Sequence, residues 1–324
     1  MTMAYHVSTS PHVRDAKTTR QLMTDVLIAL LPAAAAGAVW FGLHALLLEI
    51  VCVAAAVGFE YLFQKGMKRE VTAFDGSAAV TGLLLAMNLP SQFPVWKALL
   101  GVAFAILVVK QLYGGLGQNF MNPALGGRVF LSISFAGSMT NFSLAGGSLA
   151  AAKISETVSS ATPLALAEEG VISLKDVFLG TTLGVIGETS ALLLILGGVY
   201  LLVRKVIQIH IPLAYLGSFL IMMIIFSPNH FDVQYLAGQL FGGGLMLGAF
   251  FMATDYVTSP ITEKGKILFG VLLGVLTAIF RLYGSSAEGV SYAIIIGNLL
   301  VPLIEKVTRP VAFGREGKKH GKKE

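Results

Sequence analysis

Apolar runs of about 18 residues or more commit a helical chain to crossing a bilayer, and this sequence has several. One begins at Leu22 and continues past Trp40, and a second follows at once over roughly 44–64. The alternating ten-residue strands of an outer-membrane barrel are absent. Charged residues make up only 13% of the chain, against about 25% in a soluble domain, so the fold class is an all-α membrane protein. Polar residues with Arg14, Lys17 and Arg20 precede the first run like a signal-peptide n-region. The run is too long and is followed too closely by another for cleavage, which makes it an anchor.

Ten spans are expected, over roughly 22–42, 44–64, 76–89, 95–113, 120–137, 177–203, 210–227, 235–253, 267–283 and 290–304. The third is short and ends at Pro90, which reads as a broken helix. Arg69, Arg204, Lys205, Lys264, Lys266, Lys306 and the tail lysines fall on one side of this layout, and Lys97, Lys153, Lys175 and Arg281 on the other. The basic side is cytoplasmic, with both termini on it. The layout divides into a cytoplasmic segment 1–21, a first half 22–137, an outer loop 138–175, a second half 176–305 and a basic tail 306–324. That tail also accounts for the formal charge of +5 without a nucleic-acid partner.

The halves look duplicated. Pro90 and Pro260 each end a small-residue half span, and Leu112-Tyr113-Gly114 recurs at the same offset as Leu282-Tyr283-Gly284. Five spans per half would make two repeats inverted in the membrane, each with broken helices, as in inverted-repeat transporters. The lone Cys52 excludes a Cys-ligated iron–sulfur cluster or a disulfide within the chain. The six histidines show no pairing that would hold a haem.

The outer loop is too long for a plain connector and is expected to be functional. In it, Thr162-Pro163, a short Leu164–Glu169 run and Gly170 have the order of an N-cap, an N1 proline, a brief helix and a terminal glycine. Thr162 could simply cap that helix. The same helix N-terminus would also suit a phosphate esterified to Thr162.

Glu188 and Asp255 are ionisable groups in or at the edge of spans, a position that marks functional candidates. Either could hold a cation or relay a proton. Equally, Glu188 could pair with a backbone donor in its glycine-rich break and Asp255 could cap a helix. Asn119 and Asn122, at the glycine-rich break after the fourth span, carry amide donors and acceptors that could meet the polar edge of a ligand. The alternative for Asn122 is to cap the span opened by Pro123.

Ser160-Ala161-Thr162 resembles the flavinylation motif on which FMN is joined through its phosphate to a threonine, with Glu156 and Ser160 standing where aspartate and glycine are common. The flanking spans, through Gly117–Ala124, Gly187–Ala191, Arg204–Ile207 and Ala253–Pro260, resemble RnfD, the D component of Rnf ion-translocating ferredoxin:NAD oxidoreductases. That family is related to the B component of the sodium-pumping NADH:quinone reductase. The resemblance implies an inner-membrane electron-transfer subunit with covalent FMN on Thr162 at the outer face, a motif that includes Ser160 and Ala161, and second-rank flavin contacts at Asn119 and Asn122. A second, non-covalent flavin is a further expectation. The implied partners are an outer-face FMN subunit, cytoplasmic iron–sulfur and NAD-binding subunits, and an FMN transferase for maturation. Electrons would pass from the partner flavoprotein through this FMN toward the cytoplasmic modules while the complex moves Na+ or H+ outward. The resemblance also implies the five-plus-five arrangement of urea-channel folds, so a solute channel or secondary transporter is the rival reading.

Overall fold

The computed structural model describes residues 17–142, 178, 184–188, 190–227, 232–284 and 289–310. Helix α1 (Thr19–Phe41) starts at a reciprocal cap in which Thr18 Oγ1 accepts from the Gln21 amide while Gln21 Oε1 accepts from the Thr18 amide. A single residue, Gly42 at φ 90°, turns the chain into α2 (Leu43–Gly66). A left-handed backbone there favours glycine. Helices α1 and α2, with two more near the C-terminus, are long and apolar enough to span a bilayer. Leu31, Val39, Ile50 and Leu62 point outward from α1 and α2, whereas Leu30, Leu48 and Leu85 are sealed inside. An apolar exterior around an apolar core is what lipid solvation allows. The chain is a multi-pass membrane protein.

The short third run is a half-helix. α3 (Ser77–Met87) starts from the left-handed Gly76, and Asp75 Oδ1 accepts from both the Ser77 amide (2.7 Å) and its hydroxyl (2.6 Å). At its far end the Ile186 amide donates to Leu89 O (3.0 Å), so the segment 184–188 closes over it. α4 (Val95–Ala103) continues as a π-helical stretch, Phe104–Gln111. A glycine-rich break follows, and Asn122 then caps α5 (Pro123–Ser134).

In the second half, α6 (Ala191–Val203) and α7 (His210–Phe226) precede a bent pair. α8 (Val233–Phe241) and the segment Leu245–Met252, which is α9 (Leu245–Leu247) and the π-helical Gly248–Met252, meet at 55°. The break releases backbone carbonyls at membrane depth, where something must bond them. Arg281 does so: its guanidinium donates to the carbonyls of Gln239, Gly242 and Gly243. α10 (Glu263–Tyr283) and α11 (Gly289–Thr308) are the last described helices. α7 and α10 pack backbone to backbone, because a Cβ on Gly274 would lie 2.6 Å from Tyr215 O and one on Gly270 2.9 Å from Ile211 O. These glycines are four apart, the small-residue spacing that lets membrane helices approach closely.

Two short helices are each opened by a left-handed glycine, Gly76 at φ 91° and Gly244 at φ 68°. Each then runs toward the matched Pro90 or Pro260.

Candidate functional site

A narrow cleft of about 80 Å³, open at its mouth, lies between the two half-helices. Each wall has a sequence origin. α3 contributes Ser77, Thr81 and Leu84, and the π-helical end of α4 contributes Lys110. The break before α5 contributes Asn119 and Asn122, and the segment after Leu245–Met252 contributes Thr254 and Asp255. Phe250, Phe251, Val26 and Met23 supply apolar surface. Mostly apolar walls with a few convergent polar groups describe a site for a small organic ligand.

Lys110 carries the strongest electrostatics. Its ammonium lies 2.7 Å from Glu60 Oε2 and donates to Ser77 Oγ at 2.7 Å. Both charged side chains are sealed, at 2% and 0% exposure. Behind the pair, Gln64 Nε2 reaches Glu60 Oε1 (3.3 Å) and Thr72 Oγ1 (2.8 Å). In front, Ser77 hands the chain of bonds on to Asp75. The π-helical turns around Lys110 are wider than α-turns and recur at functional sites.

Asn119 and Asn122, expected from the sequence to sit together, both line this cleft. Their amides are used differently. Asn122 Oδ1 accepts from the Ala124 and Leu125 amides, and its Nδ2 donates to Met252 O (3.3 Å), so the capping role is filled. Asn119 Nδ2 donates to Met121 O (3.1 Å), and its oxygen has no bond of its own here among the described residues. Asp255 also lines the cleft, where Oδ2 accepts from Thr258 Oγ1 (3.0 Å) and Oδ1 takes a long bond from the Val257 amide (3.5 Å). Glu188 is not brought to the cleft. Its Oε1 lies where a side chain on Gly244 would begin, 2.7 Å from that glycine's Cβ position. The two carboxylates thus flank opposite ends of the half-helix Leu245–Met252.

Ser160, Ala161 and Thr162 lie outside the described residues. So do most of the loop 138–175 and the glycine break at Gly180.

The structure adds residues that a scan for carboxylates at span edges passes over. Asp25, Glu49, Glu60, Lys110 and Arg128 are buried within helices. Asp25 receives Tyr200 Oη (3.1 Å) and Arg204 Nη2 (3.2 Å), and Lys17 donates to Arg204 O (2.7 Å), joining the start of α1 to the end of α6. The hydrogen bond to Asp25 raises the Arg204 pKa beyond its already high value, so the clasp keeps its cation. Glu49 Oε1 is buried with no hydrogen-bond partner among the described residues. Each of these residues is an ionisable group inside an apolar run, which is the signal that could have found them.

Comparison with known proteins places this architecture. Residues 6–314 match the family described as NQR2, RnfD, RnfE. A protein of Acetobacterium woodii, named as the D component of a Na(+)-translocating ferredoxin:NAD(+) oxidoreductase complex, is 45% identical over 314 residues, covering 95% of each chain. One of Clostridium ljungdahlii, named as the D component of a proton-translocating ferredoxin:NAD(+) oxidoreductase complex, is 41% identical over 96% of each. The D component of an ion-translocating oxidoreductase complex of Stutzerimonas stutzeri is 39% identical, covering 92% of this chain and 93% of that one.

Proposed function

This chain belongs to the NQR2, RnfD, RnfE family, and from that membership we propose that it is the RnfD component of an ion-translocating ferredoxin:NAD oxidoreductase complex, carrying FMN covalently on Thr162. The observation that carries the reading is the match along nearly the whole chain to proteins so named. Those relatives are named for Na+ in one case and for protons in another at similar identity, so the coupling ion is left as Na+ or H+.

In this reading the chain is an inner-membrane protein of ten helices in two inverted five-helix halves, with both termini cytoplasmic and the Thr162 loop on the outer face. The matched half-helices at Gly76 and Gly244 and the basic-residue asymmetry support it. Ser160 and Ala161 are small enough to let an FMN transferase approach Thr162, and the order Thr162-Pro163 is that of a helix start whose amides would suit a phosphate. FMN supplies one- and two-electron transfer; the protein supplies attachment, position and polarity. The other subunits, an outer-face FMN protein and cytoplasmic iron–sulfur and NAD-binding proteins, complete the electron path.

The second, non-covalent flavin of this reading is assigned to the mouth of the cleft, which is too narrow as it stands to enclose a ring system. Phe250, Phe251 and Leu84 offer apolar surface for a ring system, and Asn119 has an amide oxygen free for an edge N–H. Asp255 holds or passes the coupling cation at one end of the half-helix Leu245–Met252, and Glu188 does so at the other. A solute channel on the same fold has no use for a modified threonine.

The test is colour that survives denaturation. Coexpressed with an FMN transferase, the wild-type chain should fluoresce as a flavoprotein band in a denaturing gel. Thr162→Val, which keeps β-branching and bulk, should insert normally and lose that band, while changes at Thr157 and Thr181 should keep it. A fluorescent Thr162→Val band, or a dark wild type, overturns the attachment.

A further inference from the structure

A second cavity is larger than the cleft. It is a groove of about 610 Å³ where the end of α11 passes the turn into α10, with Ile261 and Thr262 on one wall and Pro302, Glu305, Lys306 and Arg309 on the other. The α11 residues recur at intervals of three and four, so they share one face of that helix. Arg309, just past the helix end, is held to it by its amide, which donates to Glu305 O (2.9 Å). Two further bonds fix the walls against each other. Glu305 Oε1 accepts from the Ile261 amide (3.1 Å), and Thr262 Oγ1 donates to Thr308 Oγ1 (2.9 Å). A volume of this order is that of pockets for small organic ligands.

The depth of the groove indicates where its ligand comes from. α11 is 20 residues long and apolar enough to span a bilayer, and at about 30 Å it matches the hydrocarbon layer. Its last turn and Arg309 therefore lie among the headgroups. Below them α11 exposes Leu299 and Leu303, which lead at helical spacing to Lys306, and Ile261 is exposed beside the groove. An apolar track that ends at two cations has the polarity of a phospholipid, with chains below and charge above. Glu305, the one carboxylate of the lining, is engaged by the Ile261 amide. Two cations against one carboxylate leave an excess that the single negative charge of a phosphodiester balances.

We propose that this groove binds one anionic phospholipid, with its phosphodiester between Lys306 and Arg309 and an acyl chain along Leu299 and Leu303. The arginine fork suits two phosphate oxygens, and the lysine adds a point charge. Basic recesses between membrane helices are a recurring form of headgroup site. The chain's own tail is a poor occupant, because Arg315, Lys318, Lys319, Lys322 and Lys323 dominate its charge and repel Lys306 and Arg309. The inference stands apart from FMN at Thr162 and from the cleft.

The test uses full-length protein delipidated in detergent and titrated separately with phosphatidylglycerol, phosphatidylcholine and inorganic phosphate. Native mass spectrometry counts bound lipid while the unfolding midpoint is followed in parallel. Wild type should retain one phosphatidylglycerol with about tenfold higher affinity than phosphatidylcholine, and with a rise in midpoint that phosphate alone does not give. Lys306→Gln with Arg309→Gln should abolish the preference, whereas Lys65→Gln with Lys68→Gln, which removes two cations from another loop, should keep it. No preference in wild type, or a preference that survives in the groove variant, overturns the proposal. Loss of preference in both double variants also overturns it, by tracing the binding to diffuse attraction, and an equal rise in midpoint with phosphate does so by making the ligand a soluble anion. Should the groove variant fail to insert, a photoactivatable phosphatidylglycerol should crosslink wild type within residues 299–309. Labelling confined to other segments overturns the site.

Discussion

Lys110 and Glu60, 50 residues apart on different helices, meet at 2.7 Å with no exposure to solvent beyond 2%. A buried pair of this kind gains little over apolar residues of the same shape, yet breaking it strands a charge. Lys110→Met or Glu60→Leu alone should cost about 3–5 kcal/mol, and the two together far less than the sum. Thermal unfolding of the four proteins in one detergent gives the coupling directly. Additive losses would show that the pair is not a unit.

Glu49 provides the opposite case. One oxygen of its carboxyl group is buried in α2 with no partner among the described residues, and such a group costs about 1–3 kcal/mol against an apolar substitute. Glu49→Leu should therefore raise the unfolding midpoint. A fall in the midpoint would reveal a partner, and a gain in stability with loss of ion transport would reveal a group kept for function.

At Asp255, exchange of the carboxylate for an amide keeps the shape and one acceptor for Thr258. Asp255→Asn in the assembled complex should leave electron transfer running while ion transport, or its dependence on Na+, changes. Unaltered coupling at normal expression would reduce Asp255 to a turn that orders 255–258.

Asn119 and Asn122 separate binding from capping. Asn122→Ala removes the cap of α5 and the bond to Met252 O, and should lower stability by about 1–2 kcal/mol. Asn119→Ala leaves α5 capped, so its midpoint should hold while flavin released by mild denaturation falls. Equal flavin content in Asn119→Ala and wild type would remove Asn119 from the cleft's binding groups.

Much of the scaffold can be read in advance because its signals are local. The short run before Pro90 shows a half-helix, Asn122-Pro123 shows a cap, and Gly42 shows a turn, each within a few residues. The polar interior is harder to read. Lys110 falls within the apolar run 95–113 and Arg128 within 120–137, where averaging over a span hides a single charge. Their partners, Glu60 and Ser291, are brought to them only by packing between helices distant in sequence. Glu188 and Asp255 are visible as carboxylates near breaks, but nothing local indicates that one half-helix separates them.

The single-residue turn at Gly42 also bears on how the protein is made. With no polar stretch between them, α1 and α2 enter the membrane as one hairpin, and α2 brings Glu49 and Glu60 with it. Lys110 emerges 50 residues after Glu60, an interval of roughly 3–10 s at ordinary rates of synthesis. For those seconds Glu60 lacks the Lys110 ammonium that it meets in the finished protein. The ion pair behind the cleft thus waits for the end of α4, and a ribosome paused between α2 and α4 leaves a hairpin exposed to membrane quality control.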